Sequence, residues 1–241
     1  MTVDPSVHRL EASVVENTSL SNELRDSYFE LRAQKMVEFG WRTESDLDSG
    51  RDVDAYDSVH SPTTSVLLHS EGKLLAGARL TQPSCSVQNS ISFSMWPCRQ
   101  TVLTGVKTSD INDRIAAGEL VESTRLLVAD GVSGTMALSL LGACVAATGG
   151  TQGTFFTVGE QMHTLMTAVG IPVVSAFSGE IGGEPARLGY IPPPREFLLL
   201  DEGLRSLLSA GAAAVDPTLA RSLNFYQEPR RLEISTFERR R

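Results

Sequence analysis

From Glu119 onward, apolar runs of strand length alternate with Ala- and Leu-rich runs of helix length, and this alternation constrains the fold more than any other feature. Residues 119–129 read as a central strand, and the run from Thr135 to Thr148 reads as a helix stopped by Gly149-Gly150. Residues 153–158 follow as a buried strand and 161–169 as a helix ending at Gly170, with strands at 171–177 and, beyond a Gly- and Pro-rich connection, at 196–201. Consecutive strand–helix–strand units place parallel strands in one sheet and helices across its faces. Upstream, 64–69 and 73–80 flank Ser70-Glu71-Gly72 and read as a hairpin, which adds antiparallel pairing. The predicted class is therefore α/β, a sandwich built on a mixed sheet.

The remaining segments fit around this frame. Residues 19–38 read as a helix, with Ser21 as N-cap, Leu24, Tyr28, Leu31 and Lys35 at helical spacing, and Gly40 as the stop. Residues 1–18 are polar and expected to be flexible. Residues 42–60 hold Glu44, Asp46, Asp48, Asp52, Asp54 and Asp57 and read as an acidic loop whose first three acids are solvated. Residues 81–104 read as loop with one helical turn, 110–117 as a short helix closed by Gly118, and 202–210 and 217–224 as helices. No repeat or long linker divides the chain, so 1–241 is expected to be one domain, with 202–241 as a C-terminal extension.

Charge and cysteine content exclude several classes. The chain has 21 basic and 29 acidic residues, a net charge of −8, which argues against a nucleic-acid binder acting through bulk charge. No apolar run spans a membrane, and the first 20 residues lack the apolar core of a secretory signal. Cys85, Cys98 and Cys144 are odd in number and without CxxC spacing, so they form neither a disulfide framework nor a zinc site and are expected to be free thiols in a reducing cytoplasm.

Within segments that otherwise read as buried stand Arg32, Arg79, Glu122 and Arg125, and Asp54 and Asp57 close the acidic loop just before the hairpin. Charges in a sheet interior are costly unless paired, and three guanidiniums balance the three carboxylates in number. An architectural salt-bridge cluster and exposed strand faces fit these residues as well as a functional site does. Glu122 and Arg125 are three apart, so a regular strand would point them to opposite faces, and only a bulge would unite them.

Four pieces, in order, resemble the acyl-homoserine-lactone synthases, the bacterial autoinducer synthases. They are Leu31-Arg32-Ala33-Gln34-Lys35-Met36-Val37-Glu38-Phe39-Gly40-Trp41, Asp52-Val53-Asp54-Ala55-Tyr56-Asp57, Gly77-Ala78-Arg79-Leu80 and Glu122-Ser123-Thr124-Arg125. The resemblance spans roughly residues 20–180. Met36 stands where that family usually has Phe, Asp52 replaces its usual Glu, and Leu126 follows Arg125 where an aromatic is common.

The resemblance implies a three-layer α-β-α acyltransferase sandwich of the general N-acetyltransferase (GNAT) type, splayed at a V-shaped cleft between strands 119–129 and 153–158. It implies transfer of an acyl group from acyl carrier protein or coenzyme A to the amine of S-adenosylmethionine, then lactone closure with release of methylthioadenosine, and no tightly bound cofactor or metal. By the same resemblance Glu122 is the general base, acting through a water, with Arg125 and Asp54 as its catalytic companions. Arg32, Met36, Trp41, Asp57 and Arg79 shape the S-adenosylmethionine pocket, and Phe93, Trp96 and Thr157 stand toward the acyl chain. Asp130-Gly131-Val132-Ser133-Gly134-Thr135 lacks the glycine spacing of a coenzyme A pyrophosphate loop, and Asp130 would repel phosphate, which tilts the expected donor toward acyl carrier protein. Small residues Ala143, Cys144, Ala146 and Ala147 allow a roomy acyl pocket, whereas Phe155 and Phe156 could fill it. Acylation of a different amine and a non-catalytic acyl-binding module are the competing readings.

Overall fold

The computed structural model describes residues 10–16, 22–57, 63–82, 87–94, 96, 102–103, 107–168, 170–196 and 202–222. In chain order the elements are β1 (Glu11–Glu16), α1 (Asn22–Glu38), β2 (Thr63–Ser70), β3 (Lys73–Thr81), α2 (Ile91–Ser94), β4 (Val102–Leu103) and α3 (Thr108–Ala116). They continue with β5 (Leu120–Val128), α4 (Met136–Ala147), β6 (Gly153–Gly159), α5 (Glu160–Ala168), β7 (Val174–Ile181), β8 (Glu184–Ile191), α6 (Glu202–Val215) and α7 (Pro217–Ser222). The eight strands form one sheet in the order β1-β2-β3-β5-β6-β8-β7-β4, and only β5–β6 is parallel. Apolar clusters seat α1, α2 and α3 on one face and α4, α5, α6 and α7 on the other, giving an α-β-α sandwich of the GNAT type. None of the described helices is long and apolar enough to cross a membrane.

The parallel ladder is the weak seam of the sheet. It runs only from Leu120–Gly153 to Glu122–Phe155, after which β5 pairs on with β3 and β6 with β8. The two strands therefore splay from Glu122 onward, and alternate backbone amides of β5 past that point have no partner strand on the β6 side. The seam lies where the sequence places the V-shaped cleft.

Three sequence expectations change. Residues 11–16, expected to be flexible, form edge strand β1, paired along its length with β2, and Ala12 and Val14 pack against the α4-side core. The Gly- and Pro-rich stretch after 177 is a hairpin: β7 extends to Ile181 and β8 returns from Glu184 through a Gly182-Gly183 turn, burying Ala186, Leu188 and Tyr190 against the α3-side core. The small residues of α4 receive a helix instead of opening a large pocket. A Cβ on Gly142 would lie 2.0 Å from the Leu208 carbonyl, and one on Gly211 would lie 1.7 Å from that of Ser139, so α4 and α6 touch backbone to backbone. What remains beside Leu141, Cys144, Thr154, Ile171 and Leu208 is a cavity of about 20 Å³, room for one water. Of the strand expected at 196–201, Glu196 instead ends a 3-10 turn, Pro194–Glu196, and 197–201 lie outside the described residues, as do Ser21, Cys85, Cys98, Arg99 and the tail from 223.

Candidate active site

Helix α1 delivers the first charge. Tyr28, Leu31, Arg32 and Met36 fall on its sheet-facing side, so an apolar stripe carries one guanidinium into the core. The helix ends where Gly40 takes a positive φ of 68°, with Gly40 N–H donating to Val37 O and Trp41 N–H to Met36 O. This left-handed stop folds Trp41 back over the last turn, where it sits half-buried beside Phe39 and the β7–β8 turn. Trp41 thereby bridges the two sides of the splay.

A bulge delivers the second. Gly77 pairs with Leu127 and Arg79 with Thr124, so Ala78 on β3 faces both Arg125 and Leu126 on β5, and Arg125 sits in the bulge at φ 57°. Left-handed backbone at a non-glycine residue costs about 1–3 kcal/mol and persists only where its surroundings hold it. Its effect is to turn Thr124 and Arg125 to the same face, while Leu126 and Val128 pack against the α4-side core and Leu127 against α1. Glu122 and Arg125, three apart, thus share a face.

On that face three buried guanidiniums meet three carboxylates, with the more exposed Arg42 3.7 Å from Asp52 at the margin. Arg32 donates from Nε to Asp52 at 3.1 Å and from both terminal nitrogens to Asp57 at 2.9 Å. Arg79 donates to Asp54 at 2.7 and 2.9 Å, to Asp57 at 2.9 Å and to the Thr124 hydroxyl at 3.1 Å. Arg125 donates from Nε to Asp52 at 2.7 Å and lies 3.5 Å from Asp54. The Arg32 guanidinium also stacks on Tyr28 and Phe29, and that of Arg79 on Tyr56. Burial acts to raise the Asp52 and Asp54 carboxyls, yet the guanidiniums around them hold both below the usual carboxylate range. Burial is also the main cause lowering Arg125, against the pull of Asp52.

Exposure divides the six. The side chains of Arg32, Arg79 and Asp57 are 0% exposed and that of Asp52 is 2%, whereas Arg125 is at 5% and Asp54 at 14%. Asp54 and Arg125 are the two members that reach outward. The other four fix them in place.

Glu122 stands on the same face but outside this set. Its carboxylate accepts the Ser92 backbone N–H at 2.6 Å. Burial raises its carboxyl above the usual range, partly countered by hydrogen bonds from the Ser92 and Ile91 segment and by Arg79. The Ser92 carbonyl in turn accepts from the Thr157 hydroxyl at 2.8 Å, and that hydroxyl accepts from the Trp96 indole at 2.9 Å. Ser92 and Trp96 thus tie β5 to β6 across the splay, and Thr157 has local partners for its hydroxyl.

Of the residues named from sequence, Arg32, Asp54, Asp57, Arg79 and Arg125 come together in one network, with Glu122 beside it. Asp52 takes the place in the ion network that the sequence assigned to Glu122; its signal was its position as first acid of the Asp52–Asp57 string. Met36 is 1% exposed in the core with Tyr28, Leu67 and Leu127, so it packs beneath the site instead of lining an open pocket. Phe93 is half-buried, edge-on to Phe177 at 5.8 Å. Ser92 carried no sequence signal. Asp130 bonds Lys35 at 2.5 Å and also Gln34, so its charge is matched where the sequence suggested bare repulsion. Glu44, Asp46 and Asp48 are exposed. The Cys144 thiol is buried and pushed up to about 12.

No protein-family model and no curated protein matches the sequence. Solved structures match the fold. The acyl-homoserine lactone synthase LasI superposes with a TM-score of 0.57 at 16% identity, covering 77% of this chain and 90% of that one. BjaI, a coenzyme A-dependent acyl-homoserine lactone synthase, does so at 0.57 and 15% identity, covering 85% and 90%.

The fold is that of the acyl-homoserine lactone synthases.

An acyl-CoA N-acyltransferase from Pseudomonas aeruginosa follows at a TM-score of 0.50 and 14% identity, covering 76% of this chain and 99% of that one, so the architecture is shared with simpler acyltransferases. At such identities the likeness is one of backbone. The ion network and the Glu122 niche are observations on this chain's own side chains.

Proposed function

We propose that the protein is an acyltransferase that joins an acyl group from a thioester to the amine of S-adenosylmethionine and then closes the methionyl chain to an acyl-homoserine lactone, a quorum-sensing signal, releasing methylthioadenosine. The observation that carries this reading is the charge-balanced network of Arg32, Arg79, Arg125, Asp52, Asp54 and Asp57 set beside the β5–β6 splay. A zwitterionic, cationic ligand suits a site that shows it one guanidinium and one carboxylate. Among proteins of this fold, BjaI was solved with SAM and isopentyl-CoA, and TofI with an inhibitor and MTA.

In this reading Arg125 takes the methionyl carboxylate and Asp54 faces the positive pole. Arg32, Asp57 and Arg79 hold both in position, and Met36 packs beneath. The half-buried Trp41 ring offers a face to the sulfonium, an attraction of about 0.5–2 kcal/mol. Glu122 takes the amine proton through a water. The amine electron pair forms the C–N bond, the unpaired β5 amides beyond Glu122 stabilise the oxyanion, and the C–S bond breaks with the thiolate leaving. The carboxylate then attacks the γ-carbon and the sulfonium departs as methylthioadenosine, a step in which holding the reacting atoms together contributes up to about 7–11 kcal/mol. Phe93 and Thr157 stand on the acyl side. The donor is acyl carrier protein or coenzyme A, and both substrates belong to the cytoplasm.

The test is incubation with S-adenosylmethionine and short, branched, aromatic and long acyl thioesters, followed by mass analysis. Methylthioadenosine and acyl-lactone in equal amounts are expected. Thiol release without methylthioadenosine would point to another amine acceptor, and thermal stabilisation without turnover to an acyl-binding module.

A further inference from the structure

Two buried hydroxyls flank Glu122, and neither makes a hydrogen bond of good geometry among the described residues. Thr81 lies directly opposite Glu122 in the β3–β5 ladder, where facing side chains stand about 4.5–5.5 Å apart. It shares Glu122's face, because its neighbour Leu80 points into the α4-side core. Ser92 approaches from α2, its amide already bonded to the carboxylate. Thr81 is 8% exposed and Ser92 1%, and neither hydroxyl has a hydrogen-bond partner among the described residues. The Ser92 hydroxyl stands close enough to favour the charged carboxylate as a donor, though it meets no good hydrogen-bond geometry with it.

One orphaned buried hydroxyl costs about 1–3 kcal/mol, so two on the same carboxylate call for a shared polar guest. The guest must accept from or donate to hydroxyls and donate to a carboxylate, and it must be small, since Glu122 is 2% exposed. Water meets these demands, with two to four partners being its usual set.

We propose that Thr81, Ser92 and Glu122 together hold one water, and that this water is the group that receives the amine proton. The inference rests on the lactone-synthase reading and adds two positioning residues to it. As the amine attacks, its proton passes to the water while a water proton passes to Glu122. The C–N bond forms, the C–S bond breaks, and the proton on Glu122 returns through the same water to the departing thiolate. The charged group facing Glu122 is Arg79 from β3; α2 contributes the neutral Ser92 and Ile91, β5 Thr124, and β6 the neutral Phe155.

The experiment uses the full chain with Thr81→Val, Thr81→Ser and Ser92→Ala. Thiol release from butyryl- and octanoyl-coenzyme A with S-adenosylmethionine is followed against pH, and the Glu122 carboxyl is titrated by infrared difference, assigned by its loss in Glu122→Gln. T81V and S92A should each lower kcat about tenfold with KM for S-adenosylmethionine within about twofold, and T81S should restore the rate. Donors to a carboxylate favour its charged form, so the infrared midpoint should rise in T81V and S92A. Unchanged kcat and midpoint would overturn the proposal, as would a lower rate that tracks lost thermal stability and is not rescued by T81S. If the unaltered protein releases no thiol with these donors or with the matching acyl carrier protein thioesters, the lactone-synthase reading falls, while the infrared midpoint of T81V still decides the water.

Discussion

Asp54 and Glu122 occupy the same face of one sheet, yet their surroundings treat charge in opposite ways. Asp54 lies among three guanidiniums that outweigh burial and keep it ionised. Glu122 lies among amides and hydroxyls, where burial prevails and its carboxyl rises. A carboxylate held permanently charged suits binding and orientation. One whose proton affinity is raised suits proton transfer, and two carboxyls whose environments push them apart mark the division of labour.

The largest effect that would sharpen or break this contrast is chemical. Glu122→Gln should cut thioester turnover by about 10²–10⁴-fold while circular dichroism and the thermal midpoint stay close to wild type. Full activity would remove Glu122 as the base. Arg79→Met acts on the other side of the contrast. It removes both close guanidinium hydrogen bonds of Asp54 and one partner of Asp57, which keeps Arg32, and urea unfolding should show a loss of about 3–5 kcal/mol alongside lost turnover. A loss below about 1 kcal/mol would mean the network is not structural.

A smaller effect separates packing from chemistry. Gly211→Ala forces a methyl against the Ser139 carbonyl and should cost about 1–3 kcal/mol in urea unfolding, with kcat unchanged below the unfolding range. A fall in kcat would show that the α4–α6 contact reaches the cleft.

The smallest effect is in the pH dependence of stability, and its sign differs between the two regions. Asp52 and Asp54 are depressed in the folded state, so their contribution is complete above the unfolded value near about 4 and is lost as pH falls through their lower folded values. Glu122 is raised, so the folded state weakens as pH climbs from the unfolded value of about 4.3 through the folded one. Glu122→Gln should therefore be at least as stable as wild type at pH 7 and should flatten that limb of the profile, whereas Asp54→Asn should flatten the acidic limb. Chemical unfolding from pH 2 to 8 reads both.

Local pattern was enough where an element carries its own signal. Gly40 after an apolar stripe announced the end of α1, and Gly72 the β2–β3 turn. It was not enough for β1, six residues whose stability comes from pairing with β2, a partner some fifty residues away. The β7–β8 hairpin was hidden because Gly182-Gly183 and Pro185 resemble a loop until the strands on either side are seen to pair. In the site, arginines inside apolar segments were conspicuous, because unpaired buried charge is too costly to occur by accident. Asp52 stood out only as the first acid of the Asp52–Asp57 string, and Ser92 was lost among the serines of another loop.

By itself, then, the sequence required that Arg32, Arg79 and Arg125 find anionic partners wherever their segments are buried, since guanidiniums stay charged and an apolar interior offers no water. It also required crossovers between strands rich in Val, Leu and Phe. Tertiary structure alone decided which acids would serve. The extra β5 residue opposite β3 turns Arg125 onto the side of Asp52, and the three-residue β5–β6 ladder leaves Glu122 at the fork with Ser92 as its neighbour. Both outcomes depend on register between strands far apart in the chain, a quantity that no local window of residues contains.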